Sequence, residues 1–280
     1  MLDPDLTVTL GAHRYAVNRR WGAPPSDMSL ELLSAIGVDD RGRVHAVRRL
    51  DPPVLVFAAD GRFMLTWGQG QIADPHGLHM AADGRVLIVD RDAHQVLAFD
   101  AEGGLRSALG ERHVAAFQAP FNHPTGVAVA ADGEIYVSDG YGNACMHRFS
   151  AEGRHLQSWG RPGTGPGEFT TPHAVWVDRR NRVLVLDREN NRVQVFDRDG
   201  AYMDAWPDLY HPMAVYEDAE GFIYVTDQIP RLSMFAPDGE LVGRCRPVFN
   251  GAHGIGGDAD GNLYMTEMSP PGITKLTRLT

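Results

Sequence analysis

The chain has 280 residues, 43% of them hydrophobic, and a formal net charge of −10. That is enough apolar material for a sizeable core in one domain spanning 1–280. The charge excludes little by itself, but no basic stripe marks a nucleic-acid surface, and no apolar run approaches the ~20 residues of a membrane span.

The opening segment, MLDPDLTVTLGAHR, is polar and has no apolar h-region. No signal peptide is expected, and a reducing, cytoplasmic compartment fits. Residues 15–22 (YAVNRRWG) end in Trp21-Gly22, a pair that returns at Trp67-Gly68 and Trp159-Gly160. From there a unit recurs six times, over 34–68, 75–110, 124–160, 171–206, 212–245 and 251–280. The fourth copy is the clearest. Its runs 174–177, 183–186, 193–196 and 202–206 are rich in β-branched and aromatic residues, and DRRN, DRENN and DRDG separate them. Such runs bounded by Asn, Asp and Gly read as four antiparallel strands. Four strands per repeat of ~40 residues is the signature of a β-propeller, so the expected fold is all-β with six blades. The sixth copy stops after its third strand. The N-terminal run 15–22 is expected to supply the missing strand and close the ring, removing an edge open to aggregation. The Gly/Pro-rich stretch 161–169 reads as a loop, since the repeat phase resumes directly after it. Cys145 and Cys245 fall in unrelated repeats and read as small buried thiols.

A turn glycine precedes the second strand of each repeat, with Asn181 in that place in the fourth. Counting back eight residues from Gly42, Gly84, Gly133, Asn181, Gly221 and Gly261 gives Ser34, His76, Thr125, His173, Met213 and His253. In a propeller this column begins the innermost strands. Histidine occupies alternate repeats, positions that pseudo-three-fold symmetry would bring to the axis. Three neutral imidazoles with a remaining open position fit a transition-metal site of the catalytic zinc type, other divalent ions being possible. Against this, the chain holds 12 histidines, and His123 and His211 also flank prolines. Any single one is more often structural than a ligand.

A second column, seven residues after the same anchors, holds Arg49, Arg91, Gly140, Arg188, Gln228 and Met268. Arg49 and Arg188, if turned inward, would hold a carboxylate beside the metal. The alternative is a turn arginine paired with a nearby acid, Glu189 or Asp187 for Arg188, and that reading is preferred for Arg91. Tyr141 lies between Gly140 and Gly142. Beside a dication and arginines it could serve as a general base; alternatively it packs over a blade edge.

The repeats resemble NHL propellers through His123-Pro124-Thr125-Gly126-Val127-Ala128-Val129 and the segment 190–196. Pro75-His76-Gly77-Leu78, Ser138-Asp139-Gly140-Tyr141, GPGEFTTPH (165–173), DRENNRVQ (187–194) and Ala252-His253 further resemble the peptidyl-α-hydroxyglycine α-amidating lyase family. The resemblance implies a zinc site on His76, His173 and His253, with Tyr141, Arg188 and Arg49 as catalytic residues. Val47-Arg48-Arg49-Leu50 offers two candidates for the last. The implied reaction cleaves the C–N bond of an α-hydroxyglycine-type carbinolamide to an amide and glyoxylate. Two departures stand out. Gly254 replaces the Asp that helps bind a structural calcium in the family, so calcium is doubtful. Gly142 replaces the cysteine of secreted members, which fits the cytoplasmic expectation. No stretch here resembles the monooxygenase module of bifunctional members. The substrate is therefore a small molecule or peptide bearing a carboxylate, with no nucleic-acid or membrane partner, and oligomeric state is not legible. Two other readings are a related zinc-dependent lyase, hydratase or hydrolase on another small hydroxy acid or amide, and a non-catalytic NHL interaction module.

Overall fold

The second strand of each repeat shows most plainly why the chain folds as it does. Val44–Arg48, Val86–Asp90, Ile135–Asp139, Val183–Asp187 and Ile223–Asp227 are buried along their whole lengths. Continuous apolar runs of this length suit strands covered on both faces, and each buried Val, Leu or Ile contributes about 1.5–3 kcal/mol. Fourth strands such as Leu105–Leu109 are largely exposed.

The structure is a computed structural model and describes residues 6–279. Residues 1–5 of the N-terminal segment and residue 280 of the sixth repeat lie outside the described residues. Among the described residues, each repeat forms one antiparallel sheet in sequential strand order, four-stranded in repeats one to five. The sixth sheet has five strands. Ala252–Gly257, Leu263–Met268 and Pro271–Leu279 are joined by His13–Trp21, and Thr7–Leu10 is added outside that. His13–Trp21 runs antiparallel to Pro271–Leu279, with Arg14 opposite Leu279 and Trp21 opposite Ile273. The outermost strand, Thr7–Leu10, goes beyond the four-strand expectation. So does the stretch 161–169, where Arg161–Pro162 pairs in parallel with Glu168–Phe169. Glu168 accounts for this order, accepting from Arg161 Nε at 3.0 Å and from the Gly165 N–H at 2.9 Å. No helix among the described residues is long and apolar enough to cross a membrane.

Two compact units emerge, residues 1–69 with 213–280, and residues 70–212. In the first, Tyr15, Tyr224, Leu232, Met234, Leu263 and Met265 form one core cluster, and Trp21, Leu55, Phe57, Tyr264 and Ile273 another. In the second, Leu87, Val89, Val96, Phe121, Val127 and Val137 pack together, as do Tyr136, Met146, Phe169, Val185 and Phe196.

Two local devices fix where first strands begin. The turn into the second strand is an Asx turn. Asp178 Oδ1 accepts from Arg180 N at 2.9 Å and Arg182 N at 2.8 Å, and Asn181 takes the left-handed φ of 57°. At the other end, in repeats two, three, four and six, a buried carboxylate near the end of the second strand gathers the backbone N–H groups that lead into the first. Asp90 accepts from Ala73 N and Asp74 N, both at 2.9 Å. Asp139 holds Asn122 N at 2.9 Å, and Asp187 holds Thr170 N at 3.0 Å. Glu267 takes Phe249 N and Asn250 N at 2.8 and 2.9 Å.

Candidate metal centre

These devices hold the residue column in register. Ser34, His76, His173, Met213 and His253 are each the second residue of their sheet's first strand, and Thr125 immediately precedes its own. All six are buried.

His76 Nδ1 lies 2.6 Å from the carbonyl oxygen of Thr125, the column residue of the following repeat. A carbonyl only accepts, so Nδ1 carries the hydrogen and Nε2 the lone pair. In the other unit, His253 Nδ1 lies 2.7 Å from Ser34 O, again a column residue, with the same consequence for its Nε2. Backbone carbonyls thus orient both rings, as outer partners commonly orient metal-ligating histidines.

Within residues 70–212 the donors converge. His76 Nε2 is 3.0 Å and His173 Nε2 3.1 Å from the Tyr141 hydroxyl. The two imidazoles lie 4.9 Å apart between centroids, with an interplanar angle of 73°. Arg188 Nη1 donates to the same hydroxyl at 3.3 Å. Arg188 opens the 3-10 turn Arg188–Asn190, its N–H bound to Thr171 O at 2.8 Å and its Nε to Glu189 Oε1 at 2.8 Å. The acid pairing weighed in the sequence is thus present with Glu189, and the Nη1 arm reaches the Tyr141 hydroxyl. Arg91 pairs with Asp74 at 2.6 Å and Asp92 at 2.9 Å, as the preferred reading has it. It also lies over the Tyr141 ring, its guanidinium carbon 5.6 Å from the centroid against 5.5 Å for Arg188. Only the fold brings that second cation to the tyrosine.

The glycines flanking Tyr141 are dictated by close approach. A Cβ at residue 140 would fall 2.2 Å from Pro172 O, and one at residue 142 would fall 2.3 Å from Asn122 Oδ1. The tyrosine loop therefore lies directly on the start of the strand that carries His173. Tyr141 N and Gly142 N bond to His123 O and Asn122 O at 3.3 and 3.0 Å, and Tyr141 stays 38% exposed.

Among residues 1–69 and 213–280, the two arginine candidates separate. Arg48 is buried, with Nε on Pro52 O at 3.0 Å and Nη1 on Ser29 O at 2.6 Å, so its guanidinium secures a loop. Arg49 is bonded through its N–H to Leu32 O at 3.0 Å. At residue 254, a Cβ would lie 2.7 Å from Thr266 Oγ1 and 2.8 Å from Ala35 Cα, so no aspartate fits beside His253. Of the cysteines, Cys145 is buried and Cys245 only partly so, which corrects the expectation of two buried thiols. A further group, Asp139, Cys145 and His147, went unnoticed in the sequence although its carboxylate column sits one residue before that of Arg188.

Six antiparallel sheets from six NHL-type repeats make this an all-β, six-bladed β-propeller, and a family model described as a 6-bladed beta-propeller matches residues 121–234. The chain is 33% identical to mouse NHL repeat-containing protein 3 over 76% of its own length and 67% of that protein's. It spans 60% of the human counterpart. It is 30% identical to a probable peptidyl-alpha-hydroxyglycine alpha-amidating lyase of Caenorhabditis elegans, over 81% of this chain and 70% of that one. A streptogramin B lyase structure superposes with a TM-score of 0.70 at 12% identity, covering 97% of this chain and 100% of that one, a likeness of fold. The chain belongs to the NHL-repeat propeller family that includes the peptidyl-alpha-hydroxyglycine alpha-amidating lyases.

Proposed function

We propose that the chain is a metal-dependent lyase that cleaves the C–N bond of an α-hydroxyglycine-type carbinolamide to an amide and glyoxylate. The observation that carries this reading is the convergence of two imidazole Nε2 atoms and the Arg188 guanidinium on the Tyr141 hydroxyl. His76 and His173 would hold a zinc or other divalent ion, joined by His253 on the strength of its place in the sequence column. The donor chemistry fits. These are nitrogen donors without a thiolate, and the Nε2 lone pairs of His76 and His253 are set by bonds to backbone carbonyls. When bound, such an ion supplies the positive charge that acidifies a substrate hydroxyl.

Tyr141 takes the hydroxyl proton and returns it to the amide nitrogen as the C–N bond breaks. The hydroxyl oxygen becomes the aldehyde oxygen of glyoxylate, and the proton leaves with the amide. Arg188, beside the tyrosine oxygen, binds the substrate carboxylate and the charge that develops. Arg49 is assigned the same task on the family resemblance, and the substrate is a small molecule or peptide ending in that carboxylate.

The test is glyoxylate release from α-hydroxyhippurate by purified protein. Turnover is expected, with its loss on chelation and in His173→Ala. Tyr141→Phe should lower it about 10²–10⁴-fold. Unchanged turnover in either variant overturns the mechanism. A second reading, a non-catalytic interaction module, draws only weak support from the likeness to NHL repeat-containing protein 3. Protein with neither stoichiometric divalent ion nor glyoxylate release would support it.

A further inference from the structure

The sheets of repeats three and four treat the same carboxylate differently. Asp187 faces Arg192 in its ladder, accepting from Arg192 Nε at 2.9 Å and from Gln194 Nε2 at 3.1 Å. The equivalent Asp139 faces Cys145, and His147 stands two residues on, where repeat four has Gln194. Asp139 and His147 are 0% exposed and Cys145 2%. The guanidinium has been exchanged for a thiol and an imidazole around a buried acid.

The three donor atoms lie within 4.8 Å of one another. Cys145 Sγ is 3.5 Å from His147 Nε2, which is 3.2 Å from Asp139 Oδ2. A tetrahedral ion bonded at about 2.3 Å to sulfur and about 2.0–2.1 Å to nitrogen and oxygen has edges of roughly 3.6 Å (S–N) and roughly 3.3 Å (N–O). The cluster already has those edges. Its outer partners are in place too. Asn143 Nδ2 donates to Asp139 Oδ2 at 2.8 Å, and His147 Nδ1 lies 2.7 Å from Ser158 Oγ. A hydroxyl can donate or accept, so Ser158 serves either tautomer of the ring, including the one with its lone pair on Nε2.

We propose that Asp139, Cys145 and His147 form a second cation site, for a borderline-soft divalent ion of the zinc type. Thiolate, imidazole and carboxylate together select such ions over magnesium or calcium. The ion would supply beside Asp139 the positive charge that Arg192 supplies beside Asp187 in the next sheet. Binding would exchange the Cys145 thiol proton for the ion. None of the three residues belongs to the proposed lyase centre, and the proposal does not rest on that reading.

Chelator-stripped protein titrated with Co²⁺ and followed by absorption tests this. Thiolate-to-cobalt charge transfer in the near ultraviolet requires a cysteine ligand, so the histidine column cannot produce it. The band is expected in the wild type, in His173→Ala and in Cys245→Ser, and is expected to vanish in Cys145→Ser. His147→Gln copies the neighbouring sheet and keeps a donor to Asp139. It should lose the band while retaining the wild-type circular dichroism, which decides the matter should Cys145→Ser misfold. No thiolate band at saturating Co²⁺ in the wild type leaves a hydrogen-bonded triad only and overturns the proposal. So does a band undiminished in either Cys145→Ser or His147→Gln.

Discussion

Replacing His79 by leucine gives a quantitative probe of the inner strands in residues 70–212. His79 shares the strand Pro75–Met80 with His76 and lies edge-on to Trp176, on the strand of His173, at 5.3 Å between ring centroids. Burial lowers its pKa from 6.5 to about 4; the weaker fields of Asp83 and Arg85 act in opposite directions. Between those values the unfolded chain binds a proton that the folded chain refuses. This contribution to stability is therefore present above pH 6.5 and lost as pH falls toward 4. At about 1.4 kcal/mol per pKa unit, the whole separation is worth about 3 kcal/mol, of which about 2 kcal/mol is lost between pH 7 and pH 5. Urea unfolding of wild type and His79→Leu at those two pH values is the assay. The drop in unfolding free energy from pH 7 to pH 5 should be smaller in the variant by about 2 kcal/mol. An equal drop in both proteins would refute the reasoning, because His79 would then titrate as it does in the unfolded chain.

Gly140→Ala should force residue 140 away from Pro172 O and move Tyr141 off His173. Glyoxylate release should fall about 10²-fold, with metal content by elemental analysis unchanged. Arg192→Leu leaves the buried Asp187 without its guanidinium, and urea unfolding should show a loss of about 3–5 kcal/mol. Deleting residues 1–22 strips the partner from Pro271–Leu279 and bares its edge. Size-exclusion chromatography should then show aggregation and thermal scans a lower Tm. If the chain binds zinc when folded, Zn²⁺ at a hundredfold excess over Kd should raise stability by about 2.7 kcal/mol in thermal scans of chelator-stripped protein.

The repeat and the histidine column are legible in the sequence for one reason. Each turn places a glycine, or Asn181 with its left-handed backbone, at a fixed distance from the strand start, and in repeats two, three, four and six an acid at the end of strand two ties that start down. Spacing in sequence thereby becomes spacing in space. Tyr141 and Arg188 are legible as candidates because the glycine pair and the DRENN turn mark unusual backbone. What spacing does not carry is the direction of long side chains. Arg48 and Arg49 are indistinguishable until Pro52 O and Ser29 O are seen to take the first. Arg91 has a sufficient local explanation in Asp74 and Asp92, and only the folded chain brings it to the Tyr141 ring. Counting one residue earlier reaches Asp139 and Asp187, but not the exchange of Arg192 and Gln194 for Cys145 and His147, because the turn after Asp139 is one residue longer than the turn after Asp187.

The sixth sheet imposes a waiting time on the chain. Arg278 Nη2 lies 2.9 Å from His13 Nε2 across 265 residues of sequence. At translation speeds of about 5–20 residues per second, the strand His13–Trp21 spends roughly 10–50 s on the ribosome before its partner Pro271–Leu279 is made. For that interval its inner edge is unpaired and Tyr15 and Trp21 are uncovered, while later repeats can already assemble. Synthesis rate and holdase supply, rather than the stability of the finished molecule, would then govern how much of this protein a cell recovers.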